Sequence, residues 1–179
     1  MRVITGSARG CRLRTLEGND VRPTTEKVKE AMFSAIQFDV EGRRVLDLFA
    51  GSGQLGIEAL SRGAESAVFI DSSKKSIEVV KQNLAAARLE DKAKVMQTDF
   101  AAYLAMTPDR YDIVFMDPPY ATGQLSSALQ SVARVMSNYA IAVCEHPSDE
   151  PLPQQVDRFS IYKTYRFGKV AFTIYRPTE

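Results

Sequence analysis

From Arg44 to Glu145 the chain alternates short apolar runs with longer amphipathic stretches, the pattern of βα units feeding a parallel sheet. The runs are RVLDLF, SAVFID, AKVMQ, YDIVFM and YAIAVCE. Between them lie helix-like segments at Leu55 to Arg62, Ser73 to Ala87, Phe100 to Met106 and Gln124 to Met136. In the second of these, Ile77, Val80, Leu84 and Ala87 recur at spacings of three and four and form one apolar stripe to cover a sheet. After Glu145 the alternation stops: HPSDEPLPQQ, with three prolines, reads as a loop, and DRFSIYKTYRFGKVAFTIYRP reads as two strands turning at Gly168. The fold class expected is therefore α/β, a Rossmann-like, mostly parallel sheet that ends in an antiparallel hairpin.

Ahead of this core, RPTTEKVKEAMFSAIQF reads as a helix that Thr24 or Thr25 caps, with Val28, Met32, Phe33, Ala35 and Ile36 on its apolar face. The first twenty residues read as a small basic strand or hairpin arm outside the core. That divides the 179 residues into an arm, 1–20, and one domain, 21–179, within the ordinary size of a single core. No apolar run approaches the roughly 20 residues of a membrane span, and the first ten residues show no signal-peptide core. Cys11 and Cys144 stand far apart, which suits a reducing cytoplasm rather than a disulfide framework. Nothing in the pattern calls for an obligate oligomer, so a monomer is expected.

Net charge is only +1, yet it is unevenly spread. Residues 1–30 hold seven Lys and Arg against four acids, and residues 154–179 hold five against two, leaving the middle acidic. If the two ends meet in space, they form one basic patch fit for a polyanion such as nucleic acid; solvated charge that happens to cluster is the alternative.

DLFAGSGQLGIEAL sets Gly51, Gly53 and Gly56 in the spacing G-x-G-x-x-G after a strand and at the opening of a helix, where a nucleotide binds. Asp47 discriminates between nucleotides. A carboxylate about 4 Å from a phosphate costs on the order of 4 kcal/mol at an effective dielectric near 20, whereas the ammonium and sulfonium of S-adenosylmethionine are attracted by it. Asp71, at the end of the second strand, can accept from ribose hydroxyls in either case. Asp99 can accept from an adenine amino group with Phe100 beside the ring, or cap the helix that follows, or do both.

After the fourth strand comes DPPY, Asp117 to Tyr120. Two prolines remove two backbone donors and leave carbonyls that only accept. An exocyclic base amine is a poor nucleophile. Acceptors on its hydrogens, the Asp117 carboxylate and the Pro118 carbonyl, would stabilise the charge that builds as nitrogen attacks a methyl group. Tyr120 offers a face on which a flipped-out base can stack.

Together these residues resemble the RsmD-type methyltransferases, which methylate the exocyclic N2 of a guanine in bacterial small-subunit (16S) ribosomal RNA. The resemblance spans nearly the whole chain: RVITGSARGCRLRT, VRPTTEKVKEAMFSAI, VLDLFAGSGQLGIEALSRGA, DPPY and FGKVAFTIYRP. It implies a class I methyltransferase fold with a seven-stranded sheet whose last strand is antiparallel, and S-adenosyl-L-methionine as cofactor. The implied cofactor contacts are Asp47, Gly51, Gly53, Asp71 and Asp99, with Phe49, Ala50 and Ser52 of the same motif and Phe100 as further candidates. Asp117, Pro118 and Tyr120 are the catalytic candidates. Arg9, Arg12, Arg14 and Arg22 are the candidate contacts to ribosomal RNA or the small ribosomal subunit. The transfer needs no metal. Gln54 departs from the family pattern, where a small apolar residue is common, as do Ser72 and Ser73 beside the adenine position. An N6-adenine methyltransferase acting on RNA or DNA shares the DPPY logic, though DNA enzymes usually add a recognition domain for which this chain has no room. A nicotinamide oxidoreductase and a non-catalytic RNA-binding module are the remaining alternatives. His146, the only histidine, reads as structural rather than catalytic.

Overall fold

The computed structural model describes residues 1–17, 24–120 and 122–179. Four apolar runs become parallel strands: β1 (Arg44–Asp47), β2 (Ser66–Asp71), β3 (Ala93–Gln97) and β4 (Tyr111–Met116). β5 (Met136–Pro147) continues parallel to β4, and the chain then adds β6 (Gln155–Val156), β7 (Phe159–Phe167) and β8 (Val170–Pro177). The sheet order is β3-β2-β1-β4-β5-β8-β7-β6, with β8 antiparallel to both β5 and β7.

Among the described residues the sheet thus has eight strands rather than seven. The extra one, β6, is a two-residue strand folded back on β7 at the sheet edge, too short to leave a periodic signal. β5 also runs past Glu145. His146 and Pro147 pair with Ala171 and Val170 of β8, so the segment expected to open a loop is still sheet. The turn between β7 and β8 falls where expected, with Gly168 at φ +62.

The helices are α1 (Glu26–Ala35), α2 (Gln54–Ser61), α3 (Lys74–Ala87), α4 (Phe100–Met106) and α5 (Gln124–Val132). α5 ends four residues earlier than its periodicity suggests, because Ala133–Val135 tighten into a 3-10 turn before β5. Strands buried on both faces read as continuous apolar runs. Val45, Phe69, Phe115, Val143 and Phe172 pack beneath α1, α2 and α3, while Leu46, Ile70, Val114, Ala142 and Tyr175 pack beneath α4 and α5.

The arm is not outside the core. Val3, Ala8 and Leu13 are buried in the same cluster as α1 and α2. The arm is a small hairpin, with Val3 N–H donating to Cys11 O and Arg2 bridging Arg12. It is stitched to α2 and α3. Ile4 and Thr5 N–H donate to the Glu58 carboxylate, Ala8 N–H to Ser61 Oγ, and Arg14 N–H to Asn83 Oδ1. Glu58 is fully buried, and its charge is met both by Arg62 one turn along α2 and by the backbone N–H groups of the arm.

Each basic end has a cation engaged at the α1 region. Lys29 is 0% exposed and donates to Arg2 O at 2.7 Å, while Asp39 pairs with Arg176 at 3.0 Å. Burial pulls the Lys29 ammonium below its usual range, against the opposing pull of Glu58 and Glu26. These two cations are therefore engaged within the fold.

Candidate active site

In an open α/β sheet a ligand sits beyond the carboxyl ends of the strands where the strand order reverses, here between β1 and β4. A cavity of about 770 Å³ opens at this point. It is lined by Asp47, Phe49, Ala50, Gly51 and Ser52 after β1, Asp71 after β2, Asp99 and Phe100 after β3, and Asp117, Pro118 and Tyr120 after β4. Of the expected cofactor residues only Gly53 is not on its wall. It caps α2 in the left-handed region at φ +81, and its Cα hydrogen faces Val80 of α3.

The glycine turn is built by packing. Gly51 sits at φ +57, a left-handed conformation that other residues reach only at a cost. Gly56 stands on α2 so close to β2 that a Cβ there would lie 2.4 Å from Phe69 Cε1. The helix therefore approaches the sheet closely and its N-terminus faces the cavity.

Each acid has a defined local role. Asp47 is 1% exposed and accepts from Gly56 N–H at 3.1 Å. Burial raises its pKa to about 7, the Gly56 hydrogen bond opposing and the Asp71 charge adding to the rise. Asp71 accepts from Gly51 N–H and Ser73 N–H, both at 2.9 Å, so it ties the turn to the start of α3 while still lining the cavity. Asp99 does cap α4, its Oδ2 accepting from Ala101 and Ala102 N–H, which leaves Oδ1 outside the cap. Phe100 packs on Phe49 with ring centroids 4.9 Å apart, making an aromatic wall.

Asp117 Oδ2 lies in hydrogen-bond contact with the Thr24 hydroxyl at 2.8 Å, and among the described residues Oδ1 has no partner. The Pro119 carbonyl is taken by the Thr122 hydroxyl at 2.9 Å, whereas among the described residues that of Pro118 carries no such bond. Burial, then the charge of Glu145, holds the Asp117 carboxyl well above the usual carboxylate range.

Sequence reasoning does not place Thr24, Gln54, Asn83 or Glu145 in the site. In the sequence Glu145 closes an apolar run, the same signal that singles out the four aspartates. Thr24 reads in the sequence only as a cap, but Thr25 caps α1 by accepting from Val28 N–H and frees Thr24 for the cavity. Gln54 donates to Thr24 O at 3.2 Å while its Oε1, on a side chain 6% exposed, has no partner among the described residues. Asn83 donates to both Arg14 O and Ser52 O, linking the arm to the glycine turn. Arg9, Arg12 and Arg14 are exposed along the arm and none lines the cavity. Arg22 lies outside the described residues. His146 is buried on β5 beside Ala171 of β8, its Nδ1 against Pro147 O and its Nε2 against Thr173 Oγ1, both at 2.8 Å, and it does not line the cavity.

The cavity wall holds four aspartates and, among the described residues, no Lys, Arg or His. That balance repels a pyrophosphate and suits a ligand carrying an ammonium and a sulfonium. The orphaned Gln54 Oε1 is an acceptor of the kind an ammonium satisfies. Fold and site together define a class I methyltransferase that uses S-adenosylmethionine.

Residues 1–176 match the family Cons_hypoth95, Conserved hypothetical protein 95, and the chain belongs to this family of RsmD-type methyltransferases. It is 38% identical over 181 residues to "Putative rRNA methyltransferase YlbH" of Bacillus subtilis, covering 98% of both chains. It is 30% identical over 178 residues to "Ribosomal RNA small subunit methyltransferase D" of Escherichia coli K12, covering 98% of this chain and 89% of that one. The solved structure of "Putative methyltransferase yhhF from Escherichia coli" superposes with a TM-score of 0.88 at 30% identity, covering 99% of this chain and 98% of that chain.

Proposed function

We propose that this protein transfers a methyl group from S-adenosylmethionine to the exocyclic N2 amine of a guanine in small-subunit ribosomal RNA. The observation that carries the reading is that one cavity joins an acidic, cation-suited half to a half built from Asp117, Pro118 and Tyr120. The names of the relatives support ribosomal RNA as the substrate class. When bound, the cofactor supplies an already activated methyl on a positively charged sulfur.

The chain's own residues supply position and charge. Asp47 and Gln54 hold the ammonium end, Asp71 the ribose, and Asp99 with Phe49 and Phe100 the adenine. Asp117 Oδ1 and the Pro118 carbonyl accept the two hydrogens of the amine, and Tyr120 carries the base. With an activated donor, alignment contributes much of the rate. Arg9, Arg12, Arg14 and Arg22 hold phosphates, which orient the RNA without reading its sequence.

The test offers the purified protein labelled S-adenosylmethionine with unmethylated ribosomal RNA, naked and as a small-subunit particle, and maps the modified nucleotide. Label on a guanine N2 is expected, and Asp117→Ala abolishes it while retaining affinity for S-adenosylhomocysteine. Label on adenine, or transfer to DNA, would overturn the guanine assignment. Tight NADH binding in place of S-adenosylhomocysteine would overturn the reaction class.

A further inference from the structure

A buried acid, Glu145, and a half-buried one, Asp117, meet at a single hydroxyl behind the amine-accepting loop. Asp117 and Glu145 each follow a paired residue of neighbouring strands, Met116 of β4 and Cys144 of β5, so parallel register sets them side by side. Thr24 Oγ1 stands between them, 2.8 Å from Asp117 Oδ2 and 2.5 Å from Glu145 Oε2. Gln54 anchors the Thr24 backbone from α2. A hydroxyl has one proton and donates to one acceptor at a time. With Glu145 only 3% exposed, two ionised carboxylates around one donor would leave one contact a repulsion. A proton on one of the carboxyls makes both contacts attractive: carboxyl to hydroxyl, and hydroxyl to carboxylate.

We propose that Thr24 and Glu145 form, with Asp117, a relay that holds one proton and makes room for the proton the amine must lose. The proposal rests on the reading of Asp117 as the amine's acceptor. At rest Asp117 donates to Thr24 Oγ1, and Thr24 donates to Glu145 Oε2. As positive charge builds on the amine, each proton moves one step toward Glu145, so that Asp117 becomes ionised beside the amine and Glu145 becomes neutral. After methylation one N–H bond of the nitrogen breaks, its electron pair returns to nitrogen, and the proton passes to Asp117 Oδ1. The pair gains one proton and loses one negative charge, balancing the positive charge the reaction removes. The proton leaves to solvent once the products depart. The raised affinity of Asp117 for a proton, from burial and from the Glu145 charge, agrees with this resting state.

Substitutions in the full chain test the relay. In infrared spectra of the ligand-free protein at neutral pH, an Asp47→Asn background, which removes the other carboxyl protonated there, shows a protonated carboxyl band that adding Glu145→Gln weakens, because the Glu145 charge no longer adds to the effect of burial on Asp117. Absence of the band in Asp47→Asn, or a band left unchanged when Glu145→Gln is added, overturns the relay. In single turnover, Thr24→Val slows methyl transfer about 100-fold and Thr24→Ser by less than about threefold, within the range of positioned proton transfer. Both keep wild-type affinity for S-adenosylhomocysteine by calorimetry. If Thr24→Val transfers at the wild-type rate while Asp117→Asn is slow, the relay fails and the amine reading stands; if Asp117→Asn is also as fast as wild type, both fail. Should Thr24→Val not fold, the infrared comparison decides.

Discussion

Asp47 gives the cavity a charge that responds to its ligand. Buried and raised to about 7, its carboxyl is largely protonated at pH 6 in the ligand-free protein. A cation arriving beside it favours the ionised form and expels the proton. Affinity for S-adenosylmethionine should therefore rise as pH increases from 6 to 8 and level off above, with proton release below pH 7 visible as a dependence of the binding enthalpy on buffer ionisation. The raised pKa also means that the native state holds this proton more tightly than the unfolded chain does. Its contribution to stability accordingly declines between about pH 4 and pH 7 as pH rises. Asp47→Asn should lose both the pH dependence and about tenfold in affinity at pH 8, the expected scale for a partly screened charge pair. The position of Asp47 at the end of a strand was legible, because an acid closing an apolar run has few other uses. Its protonation was not, since that depends on burial, which the packed helices and strands create, and on the charge of Asp71 brought near it in space.

At the scale of elements, the glycine turn and α2 act as one unit. Only close contact between α2 and β2 aims the helix N-terminus at the cavity. Gly56→Ala should force Phe69 from a fully buried position and cost about 1–3 kcal/mol, the usual scale of overpacking, measured as a lower urea midpoint with weakened S-adenosylhomocysteine binding. An unchanged midpoint would mean that the helix can back away from the sheet. β2, β3, β4 and α4 coincide with their sequence boundaries because each is an apolar or amphipathic run bounded by polar turn residues. The departures share a different cause. The 3-10 turn after α5, the added residues of β5 and the short β6 are fixed by neighbours, His146 and Pro147 by β8 and Gln155 by β7.

Across the whole molecule, the arm is both core and presenting surface. Val3, Ala8 and Leu13 anchor it, and Asn83 ties its Arg14 backbone to Ser52 in the glycine turn, while the guanidinium groups of Arg9, Arg12 and Arg14 remain outside. Replacing these three arginines with alanine should weaken RNA binding and lower the slope of log affinity against log salt by roughly 2, at about 0.7 to 0.9 for each phosphate no longer neutralised. Affinity for S-adenosylhomocysteine should stay as in the wild type, and an unchanged salt slope would remove the arm from the RNA interface. The sequence by itself determined the alternating α/β order, the glycine turn, the acids at the strand ends and the DPPY loop. All of these are written in local periodicity and short motifs, where neighbours in the chain are neighbours in space. Only the tertiary structure decided that the arm joins the core, that Lys29 and Glu58 are buried charges, and that Thr24 lies between two acids 93 and 121 positions away. Interactions of that range are set by how the helices and strands pack, and no run of adjacent residues carries them.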